Sequence, residues 1–399
     1  MTASTPNGIR PLDGIRVVSL EHAVAAPFAT RQLADLGARV IKIERPGVGD
    51  FARGYDKSVH GQASYFVWLN RGKESLTLDL KDEEAQSILH RLLADADVLV
   101  QNLAPGAAAR MGLDFDTLHG KYEKLIVCDI SGYGDSGPYR DKKAYDLLIQ
   151  AAAGLVGLTG GPDEPSRAGV SIADISAGMY AYSGILSALL QRGRTGKGLR
   201  VQVTMLEAMA EWMNQVLYFG HYGGKPPARV GASHPTIAPY GIHRTANGSV
   251  IFSVQNEREF ANFCEIVLGN RELAQDARFS SNTARVSNRP ELTALIEARF
   301  ASLTVAQAEA LLDQAQIANA PMNDIEGVWN HPQFQARQRW REVSTPGGPI
   351  DALLPPANLS GVEPVMGDVP ALGAHSRSIL AELGYGDGDI DALVNKKTV

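Results

Sequence analysis

Asp174 stands in the run Gly-Val-Ser-Ile-Ala-Asp, where a strand-like stretch gives way to a helix-like one beginning at Ser176. A carboxylate in such a bend suits two roles. It can cap a helix by accepting its first free N–H groups, or it can attack an activated acyl group as a nucleophile. Position alone leaves both open. Arg45, Lys81, Arg110 and Lys143 each stand at or near the end of a predicted strand or helix in the first half of the chain. Singly, each reads as a solvated surface charge. Together they suit a multiply phosphorylated ligand, because α/β sheets bind ligands at the carboxyl ends of their strands. His22 follows the first predicted strand and reads first as a hydrogen-bonded scaffold residue. His234 and His243 lie in a Gly/Pro-rich stretch, where spacing assigns them no role.

Several familiar sites are missing. The turn after the first strand reads Glu-His-Ala-Val-Ala-Ala-Pro, without the G-x-G-x-x-G that lets a backbone approach a pyrophosphate. There is no Walker A pattern and no G-x-S-x-G. The nine histidines show no metal-site spacing, and the two cysteines, Cys128 and Cys264, exclude a disulfide framework or a Cys-rich zinc site. Both cysteines sit in apolar runs and read as buried, inert thiols. No tightly bound cofactor and no metal are expected.

The elements that must position these residues alternate. Strands are predicted at 15–20, 38–44, 75–80, 98–101 and 125–130, with helices near 27–36 and 82–94 between them; a helix over 176–191, a strand over 199–204 and a helix over 207–218 follow. Strand–helix alternation implies an α/β fold with a doubly wound, Rossmann-like parallel sheet. From Gly220 the composition turns to Gly, Pro and His, which reads as a linker or mobile loop. A strand over 249–254 and a mostly helical stretch to about 320 then suggest a smaller α+β domain. The tail is expected to hold a last helix ending near Gly384. The implied division is 1–218 with 330–399 as the large domain, and 219–329 as linker, lid and small domain.

Composition sets the outer limits. The chain has 399 residues, 44% hydrophobic and 21% charged, enough for a sizeable core and more than one domain. Its formal net charge of −6 comes without a basic block, so a nucleic-acid partner is not expected. The longest low-charge stretch, Ile175–Leu190, falls short of a membrane span. The N-terminus shows no basic-then-apolar signal pattern, so a cytoplasmic, reducing location is expected.

The blocks PLDGIRVVSLEHAVAAPFATRQLADLGARVIKIERPGVGDFARG, NRGKESLTLDLK, ADVLVQNLAPGAAARMGLD, GYGDSGPYRDKKAYD and SIADISAGMYAYSGILSALLQRGRTGKG, in that order, resemble the class III CoA-transferases, the formyl-CoA transferase-like (CaiB/BaiF) group. The resemblance implies that Asp174 is the catalytic aspartate. It places coenzyme A contacts on Val24, Ala25, Arg45, Leu78, Lys81, Asn102, Arg110, Lys143 and Tyr145; Leu103 stands where some relatives carry an aromatic. Coenzyme A enters as a substrate. The implied cycle passes through an acyl–aspartyl anhydride and an aspartyl-CoA thioester, with Asp174 ionised at neutral pH on its reference pKa of ~3.9 and N–H groups at the nearby helix start as oxyanion donors. Water must be excluded, and Gly220–Gly241, within 219–248, is the expected lid. The segments around 23–47 and 144–160 look most like members that take CoA from succinyl-CoA to itaconate, malate or citramalate. Arg167, Arg229, His234 and Arg244 are then available for the acceptor's distal carboxylate. The family's interlocked homodimer is carried over as an expectation. Two alternatives are a 2-methylacyl-CoA racemase, whose catalytic histidine would fall on Tyr145, and a non-catalytic CoA-binding protein.

Overall fold

The structure, a computed structural model, describes residues 9–399; most of the N-terminal stretch read for a signal (1–8) lies outside them. Six strands form one parallel sheet: β1 (Arg16–Leu20), β2 (Arg39–Glu44), β3 (Lys73–Thr77), β4 (Val98–Gln101), β5 (Ile126–Ser131) and β6 (Arg200–Thr204), in the order β3-β2-β1-β4-β5-β6. Val17 of β1 pairs with Val40 on one side and Val98 on the other. The order reverses at the β1/β4 boundary, where such sheets open a crevice at their carboxyl ends. Helices cross between strands: α1 (Ala25–Asp35), α2 (Ser64–Asn70), α3 (Glu83–Ala94), α4 (Ala107–Arg110), α5 (Phe115–Lys121) and α6 (Asp146–Ala152). After α7 (Leu155–Leu158) the long α8 (Ile172–Thr195) leads into β6, and α9 (Met205–Tyr222) follows it.

Valine, isoleucine and leucine fill the sheet because a parallel sheet covered by helices is buried on both faces. Val18, Leu20, Ile41, Ile43, Leu76, Leu99 and Val127 pack with Ile88, Leu89 and Leu93 of α3. Ile379, Leu380, Ile390 and Leu393 join them from two C-terminal helices, Ser376–Glu382 and Asp387–Lys396. The tail thus completes the first core. The helix expected to end near Gly384 ends at Glu382, and a further helix, Asp387–Lys396, follows it, with Ile390 and Leu393, three residues apart, as its buried stripe.

The chain divides into two compact units. The first comprises residues up to Ala153, Gly169–Asn214 and Phe334–Val399; the second, Gly154–Ala168 and Gln215–Gln333. The second has an antiparallel sheet of β7 (Tyr240–Thr245), β8 (Gly248–Ser253) and β9 (Ala318–Pro321), in that order, backed by Phe252, Phe260, Phe263, Phe279, Ile296 and Phe300. One correction concerns 154–168, which the sequence reading gave to the large domain. Arg229 donates to the carbonyls of Gly157, Gly161 and Pro162, and the Gly231 N–H donates to Gly160. Those bonds tie the segment to the second unit. No helix of the described residues is long and apolar enough to cross a membrane.

Candidate active site

Asp174 does not end a strand; it lies in the first turn of α8, which begins at Ile172. The apolar Val-Ser-Ile run looked strand-like, but Val170 closes a tight turn by accepting the Ile172 N–H. Ser171, at the N-cap, makes no side-chain cap; its hydroxyl lies 3.3 Å from that of Tyr65. The cap comes from another helix. Asp146, the first residue of α6, accepts the N–H groups of Ala173 at 2.8 Å and Asp174 at 3.3 Å on its Oδ1. Its Oδ2 accepts from the buried Gln150 at 2.5 Å. With Ile175 N–H bonded to Ser171, the first turn of α8 has no N–H left over for an oxyanion, which corrects that expectation.

The Asp174 carboxylate is half-buried and has no ion-pair partner among the described residues. Burial first, then the Asp146 carboxylate beside it, pushes its pKa up to about 7. The expectation of an unassisted, fully ionised aspartate at neutral pH is therefore corrected. Four residues on, and so on the same face of the helix, Gly178 meets α1: a Cβ there would stand 2.6 Å from the Ala25 carbonyl oxygen and 3.0 Å from the Phe28 ring. Only glycine lets α8 lie this close. The contact brings the face that carries Asp174 to the start of α1.

The β1–α1 loop is held from both sides of the crevice. Asn102, just past β4, accepts the His22 N–H at 2.8 Å and donates to the His22 carbonyl at 2.9 Å; its amide is a clamp on this loop. Ala23 takes a left-handed φ of +59°, a cost of about 1–2 kcal/mol for a non-glycine residue. Asp50 holds it there by accepting its N–H at 3.2 Å. Beneath lies a buried ion network that sequence reasoning missed. Lys42 bonds Asp50 at 2.7 Å and lies 3.5 Å from Glu21; Lys73 bonds Glu21 at 2.7 Å and also donates to Asn70 and the Pro27 carbonyl. Burial alone would raise Glu21, but Lys73, Lys42 and Thr30 hold it ionised below its ordinary range. Val24 and Ala25 have buried side chains, leaving only backbone to meet a ligand. Leu78 is also buried, and its N–H is spent on the Glu44 carbonyl, so it presents no side chain.

A row of rings runs along this region. His22 stacks on Phe51 at 5.4 Å, Phe51 meets Tyr55, Tyr55 meets Tyr65 edge-on at 5.6 Å, and Tyr65 and Phe28 both touch Trp68. Burial lowers the His22 pKa, which favours a neutral scaffold imidazole. The Tyr55 hydroxyl is pushed up to about 12, chiefly by burial and then by the charges of Asp50 and Asp174. Phe51, Tyr55, Trp68 and Tyr145 all expose part of their rings.

Arg45 follows β2, Lys81 follows β3, Arg110 ends α4 after β4, and Lys143 precedes α6 after β5. All four are exposed and none makes an ion pair with a carboxylate among the described residues. The segments that follow β2, β3, β4 and β5 thus each carry an exposed cation.

In the second unit, each of the three nitrogens of Arg229 donates to a backbone carbonyl. His234 stacks on Tyr240 at 5.2 Å and accepts the Thr236 N–H. Arg167 and Arg244 are exposed. The expected lid is anchored at its later end: Arg289 donates to the carbonyls of His234 and Ile237, and Asn282 to that of Thr236. His243 is buried against Phe252, which pushes its pKa down to about 4 and makes it a core residue.

The fold is a Rossmann-like parallel sheet, with the Asp174 face of α8 at the start of α1 and exposed Arg45, Lys81, Arg110 and Lys143 in the segments that follow its strands. Residues 12–376 match CoA-transferase family III. The chain is 36% identical to the succinyl-CoA:glutarate CoA-transferase of Mus musculus, covering 97% of this chain and 90% of that one. It is 34% identical to the succinyl-CoA–D-citramalate CoA-transferase of Chloroflexus aurantiacus, with 98% of each covered. Among solved structures, a CAIB/BAIF family protein from Brucella suis superposes with a TM-score of 0.86 at 37% identity, over 94% of this chain and all of that one. The chain belongs to the class III CoA-transferases.

Proposed function

We propose that this enzyme moves CoA from succinyl-CoA to a small dicarboxylic acid of the C4–C5 class, with Asp174 as nucleophile. The relatives' names, glutarate and D-citramalate among them, support that class of acceptor alongside the itaconate and malate suggested by the sequence. The observation that carries the reading is the unpaired, half-buried Asp174 carboxylate on the α8 face that meets the β1–α1 loop. Asp174 attacks the thioester carbon of the donor, expelling CoA thiolate and forming a mixed anhydride. The thiolate attacks Asp174 Cγ, releasing succinate and leaving an aspartyl-CoA thioester. The acceptor carboxylate then attacks Cγ, expelling CoA thiolate and forming a second mixed anhydride; the thiolate attacks the acceptor carbon of that anhydride, breaking its C–O bond to Asp174 and freeing the Asp174 carboxylate. No proton transfer is required, so the site needs charge placement and dryness more than an acid or base. Arg45, Lys81, Arg110 and Lys143 are assigned to the phosphates of CoA and Tyr145 to its approach; Asn102 acts through the His22 backbone. The acceptor's distal carboxylate needs a cationic partner, because its burial without one would be costly. Working as an interlocked homodimer in the cytoplasm belongs to the same proposal.

Replacing Asp174 with Ala tests it: transfer falls by about 10³-fold or more, while CoA binding by calorimetry stays within about twofold. Full activity in the variant would end the nucleophile assignment. The racemase alternative gains no support, since Tyr145 offers a phenol where that chemistry needs an imidazole.

A further inference from the structure

Transfer chemistry as written gives Asp146 nothing to do, yet its carboxylate is fixed with care. Oδ1 accepts two N–H groups of α8, and Oδ2 is held by Gln150. A neutral cap was within reach, because Ser171 occupies the N-cap and serines cap well. Ser171 instead faces the Tyr65 hydroxyl. The chain thus caps this helix with a carboxylate set beside a second one, an arrangement that disfavours ionisation of Asp174. Among the described residues, no cation on the elements packed against α8 pairs with Asp174. Arg31 and Asp35 of α1 pair with each other, and Arg71 pairs with Asp35. Asp129 of β5 pairs with Arg200 of β6. Tyr55, Tyr65 and Tyr145 supply only hydroxyls on this side.

We propose that Asp146 is a positioning residue: its fixed charge makes Asp174 the poorer leaving group of the mixed anhydride and so directs CoA thiolate to Asp174 Cγ. The proposal rests on Asp174 being the nucleophile. In the anhydride one oxygen bridges Asp174 Cγ and the donor acyl carbon. Thiolate attack at Cγ forms the S–Cγ bond, breaks the Cγ–O bond, and sends the donor away as a carboxylate with the electron pair. Attack at the donor carbon breaks the other C–O bond, expels Asp174, and regenerates the starting thioester. The weaker base leaves faster. An ordinary aliphatic acid has a pKa near ~4–4.5, whereas Asp174, beside Asp146, is the stronger base. The forward branch is favoured, and the thioester on Asp174 accumulates.

Asp146→Asn and Asp146→Ser keep an oxygen acceptor at this position without the charge. In either variant the acid limb of kcat/KM moves to lower pH by ~0.5 unit or more. The fraction of enzyme carrying CoA during turnover with succinyl-CoA, read by intact mass, falls about threefold or more, with CoA affinity unchanged. Asp146→Glu retains the wild-type limb. A wild-type limb and a wild-type thioester fraction in an uncharged variant would overturn the proposal. So would failure of both uncharged variants to fold while Asp146→Glu folds, since that assigns the carboxylate to stability alone. A hydroxylamine-trapped adduct on Asp174 of the wild type separates this failure from failure of the nucleophile reading.

Discussion

At Asp174 reactivity is set against stability. Its folded pKa of about 7 lies above the unfolded value of ~3.9, so the folded state binds the proton more tightly. The contribution to stability is complete below the unfolded pKa and is lost as pH rises through about 7. Asp174→Asn therefore raises the melting temperature, with a larger gain at pH 8 than at pH 5; equal gains would contradict the shift. The same carboxylate must be ionised to attack, so kcat/KM falls on the acid side with a midpoint near 7. Sequence pointed to Asp174 through its neighbours and to the exposed cations through their places after strands. It hid Asp146, which stands in the block GYGDSGPYRDKKAYD directly after Tyr145. A cap delivered from one helix to the start of another leaves no local spacing to read, because the two residues are far apart in the chain.

Among the elements, α8 and the β1–α1 loop decide the geometry. Gly178→Ala forces a Cβ toward the Ala25 carbonyl, which costs about 1–3 kcal/mol and lowers kcat through displacement of Asp174; a variant with wild-type kcat and melting temperature would show that the contact is slack. Lys42→Met leaves Asp50 and Glu21 short of a buried partner, a loss of roughly 3–5 kcal/mol, measurable by urea unfolding. Because Asp50 also holds Ala23, that variant binds CoA more weakly as well. The strands carrying this network were legible in sequence from their β-branched runs, but its burial was not. Lys42 and Glu44 alternate with Ile41 and Ile43 in a way that reads as one wet face. Both faces of this parallel sheet are covered, so the charges lie inside and pair there. The start of α8 was misread for a related reason: Val170 and Ile172 favour strand locally, and a tertiary cap overrides them.

For the whole molecule, the parallel order β3-β2-β1-β4-β5-β6 gathers the loops of four strands on one edge. Strand–helix alternation made that much readable in advance. Less readable was the return of 154–168 to the second unit, which depends on Arg229 reaching three carbonyls far away in sequence. Arg110→Ala weakens the apparent affinity for CoA by ~3- to 10-fold and spares turnover at saturation; an unchanged KM would remove Arg110 from the phosphate set. The proposed homodimer predicts elution in gel filtration at twice the chain mass of 42.8 kDa, and a monomer would contradict the interlocked assembly. The most direct measurement is peptide mapping after incubation with succinyl-CoA and hydroxylamine. A hydroxamate on Asp174, formed by capture of the anhydride or the aspartyl-CoA thioester, is the expected result. An unmodified Asp174, together with exchange of a substrate α-proton in heavy water, would contradict it.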